Sequence, residues 1–157
     1  AYFVELTAGE FRETRRIIGD YVLTFDDFKA RKSFPDEIAR NCYHVDIHPS
    51  KEEMPEAIRQ RREPTDRYRY GKGESHGIPY RCLTPKGLTN VLVAGRCIST
   101  DHLVQGSTRV MPVCLCMGEA AGAAAAMAAT GSGKVHEVDT NELRTRLKAH
   151  GAYLPDL

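Results

Sequence analysis

The chain has 157 residues, 41% hydrophobic and 27% charged, which are globular proportions for one domain of ordinary size. A net charge of +1 excludes a nucleic-acid binder that works by bulk electrostatics. The sequence opens at Ala1 without a basic-then-apolar leader, which fits a processed or cut chain.

Residues 1–24 read as strands. Arg15–Ile18, then Gly19-Asp20, then Tyr21–Leu23 has the pattern of a hairpin, two β-rich runs joined by a Gly-Asp pair. Arg12, Arg15 and Arg16 beside it read as a solvated edge. Thr24, with Asp27 three residues on, resembles a capping box that opens a short helix with Phe25 and Phe28 on one face. Pro35–Arg40 suggests a second short helix. Tyr43, Val45 and Ile47 then alternate with His44, Asp46 and His48, the pattern of a half-buried strand. Imidazoles and a carboxylate on one face form a candidate metal trio. Strand spacing sets such neighbours about 7 Å apart, which is awkward for a single ion. Residues 50–76 are the most polar stretch and read as a surface excursion with one short helix over 54–62 and a mobile loop. Its arginines are interleaved with acids, which argues against a nucleic-acid face. Ile78–Leu83 follows as an edge strand carrying Pro79, and Thr84–Gly87 as a turn.

The stretch from Thr89 to Thr130 organises the rest. Val91–Ala94 is a short apolar run between Asn90 and Gly95, as in a strand covered on both faces. A loop with exposed polar groups comes next, and a helix is predicted from near Pro112 to about Ala129, buried on most sides and ended by Thr130 to Gly133. Gly118 and Gly122 in its interior imply close packing against a neighbour, because each costs about 1 kcal/mol relative to alanine. Ser107, Thr108 and Arg109 sit just before the helix, where free N–H groups and the positive dipole end favour an anion or an electron-rich carbonyl. Val110–Ala129 is long enough to span a membrane, but Glu119 lies mid-run and alanine dominates, so no span is expected. Thr130–Val135 imitates a phosphate loop, yet it lacks the first glycine and follows a helix where a phosphate loop precedes one. Asp139 and Glu142 resemble a capping box for a docking helix through His150, with Leu143 and Leu147 as its buried stripe.

The chain has five cysteines. Cys42, Cys82, Cys97, Cys114 and Cys116 form no C-x-x-C pair, and the odd, scattered set predicts reduced thiols in the cytoplasm.

Asn90–Ser99, Gly106–Cys114 and Met117–Ala126 closely resemble the C-terminal flavin-binding segment of a family of FAD-dependent oxidoreductases distantly related to the fumarate reductase and succinate dehydrogenase flavoproteins. Arg15–Thr24, Asp46–His48 and Ile78–Gly87 extend the resemblance upstream. The resemblance implies an α+β fragment: residues 84–134 as the C-terminal strand–loop–helix of an FAD-binding, Rossmann-like domain, 1–83 as part of a β-rich substrate or cap region, and 135–157 as a docking helix and tail. It implies hydride transfer between a small-molecule substrate and FAD, with Gly95, Arg96, Cys97, Gly106, Ser107, Val110, Met111 and Pro112 along the flavin. Arg109 aligns with the catalytic arginine of the fumarate reductase relatives, and His102 is a second acid–base candidate. Cys97 is the thiol that the resemblance sets near the flavin.

A G-x-G-x-x-G turn for the pyrophosphate is missing, and Gly71–His76 fails at the third glycine. The expectation is therefore a chain that needs the N-terminal part of the same protein, is inactive alone, and exposes apolar surface around the 112–129 helix that can drive homo-oligomerisation. Two rival readings stand beside it. One is a non-enzymatic interaction domain using that helix. The other is a metal-dependent hydrolase or lyase built on His44, Asp46 and His48.

Overall fold

The computed structural model describes residues 15–46 and 68–155. In order they form helix α1 (Phe25–Lys29), strand β1 (Glu37–Asn41), strand β2 (His76–Pro79), a 3-10 turn at Tyr80–Cys82, another at Gly95–Cys97, helix α2 (His102–Thr108), helix α3 (Met111–Thr130), a 3-10 turn at Val135–Glu137, and helix α4 (Thr140–Ala149). The architecture is mixed: helices around one small two-stranded antiparallel sheet. Arg12, Ile47, His48 and the helix expected over 54–62 lie outside the described residues.

Residues 15–23 form no hairpin. They run without a local ladder, bend at Asp20 and Tyr21, and bond to distant segments on both sides. Ile17 N–H donates to Cys97 O (3.0 Å) and Leu23 N–H to Ser99 O (3.0 Å), while Asp20 N–H donates to Thr84 O (3.1 Å) and Tyr21 N–H to Arg81 O (3.2 Å). Gly19 is needed for close approach and not for a turn. A Cβ there would stand 2.8 Å from Arg81 O and 2.9 Å from Ser99 Cβ. Tertiary pairing overrides the local turn signal.

The capping box of α1 is present in full: Thr24 Oγ1 accepts from Asp27 N–H (3.3 Å), and Asp27 Oδ2 accepts from Thr24 N–H (3.0 Å). The helix expected over Pro35–Arg40 is instead β1, paired antiparallel with β2 through an irregularity between Glu37 and Ala39. The edge strand expected over Ile78–Leu83 starts earlier, at His76, and stops at Pro79, beyond which Tyr80–Cys82 winds into a 3-10 turn. Residues 42–46 hold no strand, and the Tyr43 and His44 rings stack at 4.4 Å instead of alternating.

Val91–Ala94 is extended but is not a strand. Val93 N–H donates to Leu83 O (2.9 Å), yet no ladder forms along it among the described residues, and Val91 is 38% exposed. A strand exists only where neighbours accept its hydrogen bonds. The polar loop expected before the long helix is α2, started by Asp101, whose side chain accepts from Val104 N–H (2.8 Å).

Helix α3 begins where expected, with proline in its first turn. It is not buried on most sides. Val113, Met117, Ala120, Ala124 and Ala128 enter the core at helical spacing, beside Leu23, Phe28, Ile38, Ile78, Leu83 and Ile98. The opposite face is open: Met111 and Leu115 are 72% and 73% exposed. Among the described residues α3 is long and apolar enough, by length and composition, to cross a membrane, although one of its faces packs in this core. Helix α4 is capped by Asp139, and Leu143 and Leu147 are buried as expected. Glu142 does not reach back to the cap; it accepts from Arg146 one turn on (2.8 Å). Buried Arg144 ties α4 to β1 and to the tail, donating to Glu37 O and Pro155 O at 2.8 Å each.

Candidate functional site

The N-terminus of α3 opens on the surface. Val110 before it is extended and its side chain makes no capping bond, and Met111 and Pro112 are exposed. Its first N–H groups and the positive end of a 20-residue helix dipole are therefore presented outward.

The Gly95–Cys97 turn packs against this end of α3. Arg96 Nε–H donates to Arg109 O at 3.0 Å, which fixes the turn to the α2–α3 junction while Arg96 itself stays exposed. Gly95 has φ +81°, a left-handed conformation that favours glycine, and a Cβ there would meet nothing within 4 Å among the described residues. The Cys97 thiol turns inward, 3.7 Å from Ala94 O. Cys114, in the first turn of α3, lies 3.7 Å from Thr108 O, and burial pushes its thiol pKa up against the opposing charge of Arg96. Gly95, Arg96, Cys97, Val110, Met111 and Pro112 are thus brought to one end of one helix.

Gly106 and Ser107 lie beneath that surface. Gly106 O accepts from Asp46 N–H (3.4 Å). Ser107 is fully buried, its hydroxyl donating to Tyr43 O (2.6 Å) and accepting from Asn41 Nδ2 (2.8 Å). Arg109 closes α2 and turns its guanidinium to Asp46, 2.5 Å from the carbonyl and 3.4 Å from the carboxylate, leaving the side chain 11% exposed. His102 stands exposed at the start of α2.

Among the described residues no group of three or more His, Cys, Asp or Glu is placed to hold a metal ion. Of the predicted trio, His44 stacks on Tyr43, Asp46 pairs with Arg109, and His48 lies outside the described residues. A separate, half-open cavity of about 700 Å³ lies between β1, the 70–75 loop, α3 and the end of α4, lined by Arg40, Cys42, Tyr70, Glu119 and His150 among others. None of the residues predicted along the flavin lines it.

Sequence reasoning missed Asp101. One carboxylate caps α2 and also accepts from Phe25 N–H (2.6 Å) at the start of α1, so it locks the two helices together. Its position one residue before a helical run was the available signal. Sequence reasoning also missed buried His76 and its half-buried partner Tyr70, whose hydroxyl bonds His76 Nδ1, while burial drives the imidazole pKa down to about 3. No local pattern announces such a pair, because its members come from separate segments.

The family model for FAD dependent oxidoreductases matches residues 7–147. No curated protein and no solved structure matches the chain.

Proposed function

Because the chain belongs to the FAD dependent oxidoreductase family, whose cofactor is FAD, we propose that it supplies the flavin-facing portion of an oxidoreductase that moves a hydride between a small-molecule substrate and that cofactor. The observation that carries this reading is the uncapped, exposed N-terminus of α3 with Gly95 and Arg96 beside it. The donor set fits a flat, electron-accepting ring. Backbone N–H groups and a guanidinium favour the negative charge that such a ring gains on reduction. Bound FAD supplies the hydride-accepting ring.

The chain's own residues then have separable tasks. Gly95 presents bare backbone, so the ring or its ribityl chain can approach without meeting a side chain. The first N–H groups of α3, near Val110, Met111 and Pro112, hold negative charge at one edge of the ring, and Arg96 adds a fixed cation. Cys97 contributes backbone to the same surface, and Gly106 and Ser107 act from below by fixing the junction that leads to α3. Arg109 is the candidate partner for a substrate carboxylate or a proton donor. A guanidinium carries five donors, so the Asp46 contact leaves capacity for a second acceptor. His102 is the second acid–base candidate.

The open face of α3 supports an assembly with the remaining, dinucleotide-binding part of the protein. A Cβ on Gly118 or Gly122 would meet nothing within 4 Å among the described residues, although two interior glycines weaken a helix unless something approaches them closely. Free thiols at all five cysteines fit a reducing, cytoplasmic setting.

The test is flavin retention by the full-length protein. It is desalted after incubation with FAD and its visible absorption recorded. A retained flavin band that is lost in Gly95→Val, whose side chain would project into the open space in a strained backbone, supports the reading. A full-length protein that retains no flavin refutes it.

A further inference from the structure

Outside the flavin-facing end, His136 binds three separate parts of the chain together. Its Nδ1 lies 2.7 Å from Asp20 Oδ2, on the extended 15–23 segment, and its Nε2 lies 2.7 Å from Leu88 O, in the loop that leads to the Gly95–Cys97 turn. The ring itself sits in the turn that follows α3. Both partners are acceptors only. A neutral imidazole carries one N–H and can satisfy one of them; the imidazolium carries two and satisfies both. The geometry is therefore that of a cation.

The surroundings agree. The charged groups facing this site are Asp20 from the 15–23 segment and Lys86 from the 84–90 loop, the latter acting on Asp20. On the ring's own turn, Lys134 and Glu137 pair with each other at 2.8 Å. Asp20 is further held by Thr84, whose hydroxyl donates to Oδ2 at 2.7 Å. The Leu88 carbonyl, together with Asp20 and against partial desolvation, raises the His136 pKa. Burial works to raise the Asp20 pKa, but hydrogen bonds from Thr84 and His136 outweigh it and the net direction is down.

We propose that His136 is a proton-operated clasp that holds Leu88, in the 84–90 loop, against Asp20 of the 15–23 segment and the turn after α3, and that it lets Leu88 go when the ring loses its charge. With the remaining proton on Nδ1 facing Asp20, the Nε2 lone pair faces the Leu88 carbonyl lone pairs, so the Leu88 end is released. The Lys86 N–H to Ile18 O bond (3.0 Å), the Val135 N–H to Thr89 O bond (2.8 Å) and the Tyr80 hydroxyl to Val135 O bond (2.8 Å) remain, so opening is confined to the stretch around Leu88 between those ties. The sign follows from linkage. A raised imidazole pKa gives a contribution fully present below the ordinary imidazole range, about 6.5, and lost as pH rises through the raised value. A lowered Asp20 pKa removes it again at strongly acidic pH. This clasp is independent of the flavin reading and survives if that reading fails.

Hydrogen exchange of the full-length protein tests it, read at the amides of Lys86, Leu88 and Val135 and corrected for intrinsic exchange, at pH 5.5 and pH 8.5 (about one unit below and two above the ordinary imidazole range). Protection at Leu88 is expected to fall about tenfold or more at the higher pH, the scale of one lost hydrogen bond to a charged group, while Lys86 and Val135, whose own bonds to Ile18 O and Thr89 O remain, keep theirs. His136→Gln, which keeps one donor, should show the lower protection at both pH values, and Asp20→Asn should flatten the pH response. Glu137→Gln, which breaks only the neighbouring ion pair, should behave as wild type. Equal protection at both pH values in the wild type, or a pH response unchanged in His136→Gln, overturns the clasp.

Discussion

Asp27 shows how one carboxylate settles a local structure. It is buried, caps α1 through Thr24, and accepts from the Tyr21 hydroxyl (2.8 Å) and from Lys32 Nζ (2.8 Å). Burial works to raise its pKa, but the Lys32, Thr24 and Tyr21 hydrogen bonds prevail and lower it. Its stabilisation is therefore present above the ordinary carboxylate range and lost as pH falls through the lowered value. Asp27→Asn should destabilise the protein by about 1–3 kcal/mol at neutral pH, the scale of hydrogen bonds to a charged group. Urea denaturation at pH 7 and at pH 3 checks it: the gap between wild type and variant should narrow at the lower pH. The Thr24–Asp27 spacing was legible in sequence because a capping box is local. The Tyr21 and Lys32 partners were not, because their hydroxyl and ammonium groups reach Asp27 only once the chain has folded around it.

At the scale of elements, what succeeded and failed in the sequence reading divides by where hydrogen bonds go. Helices satisfy themselves, so α1, α3 and α4 were readable from caps, alanine content and terminal glycines. Extended segments depend on partners elsewhere. The Gly19-Asp20 pair was therefore mistaken for a turn, β1 for a helix, and Val91–Ala94 for a strand whose ladder does not form among the described residues. Helix α3 carries a direct test. Gly118 has open space around it, so Gly118→Ala should stabilise the chain by about 0.4–1 kcal/mol through helix propensity and reduced unfolded-state freedom. Thermal or urea unfolding of the variant reads that gain. A loss of stability would mean that something already covers the glycine.

For the whole molecule, the core is one-sided along α3. Val113, Met117, Ala120 and Ala124 close it from within, while Met111 and Leu115 face outward. Contiguous apolar surface on a helix face drives association. The isolated chain should self-associate in a concentration-dependent way, and Leu115→Glu should shift sedimentation toward the monomer by about tenfold or more in dissociation constant, because a charge replaces a side chain worth roughly 1.5–3 kcal/mol on burial. If association is unchanged in Leu115→Glu, this face is not the contact. The candidate site was legible only in part at this scale. Gly95–Cys97 and Val110–Pro112 are near neighbours of α3 in sequence and meet at its end. The burial of Gly106 and Ser107, and the turning of Arg109 toward Asp46, depend on residues some 60 positions earlier in the chain.

The contact between β1 and β2 has a consequence for how this sequence can change. A Cβ on Gly77 would fall 2.0 Å from Glu37 Oε2, the same oxygen that accepts from Phe34 N–H (3.1 Å) and from Arg40 (3.0 Å). A side chain at 77 therefore requires the buried Glu37 carboxylate to move and to give up these two donors. The two positions are therefore coupled: a larger residue at 77 is accommodated best by a smaller one at 37 that also frees Phe34 N–H and Arg40 to find other partners.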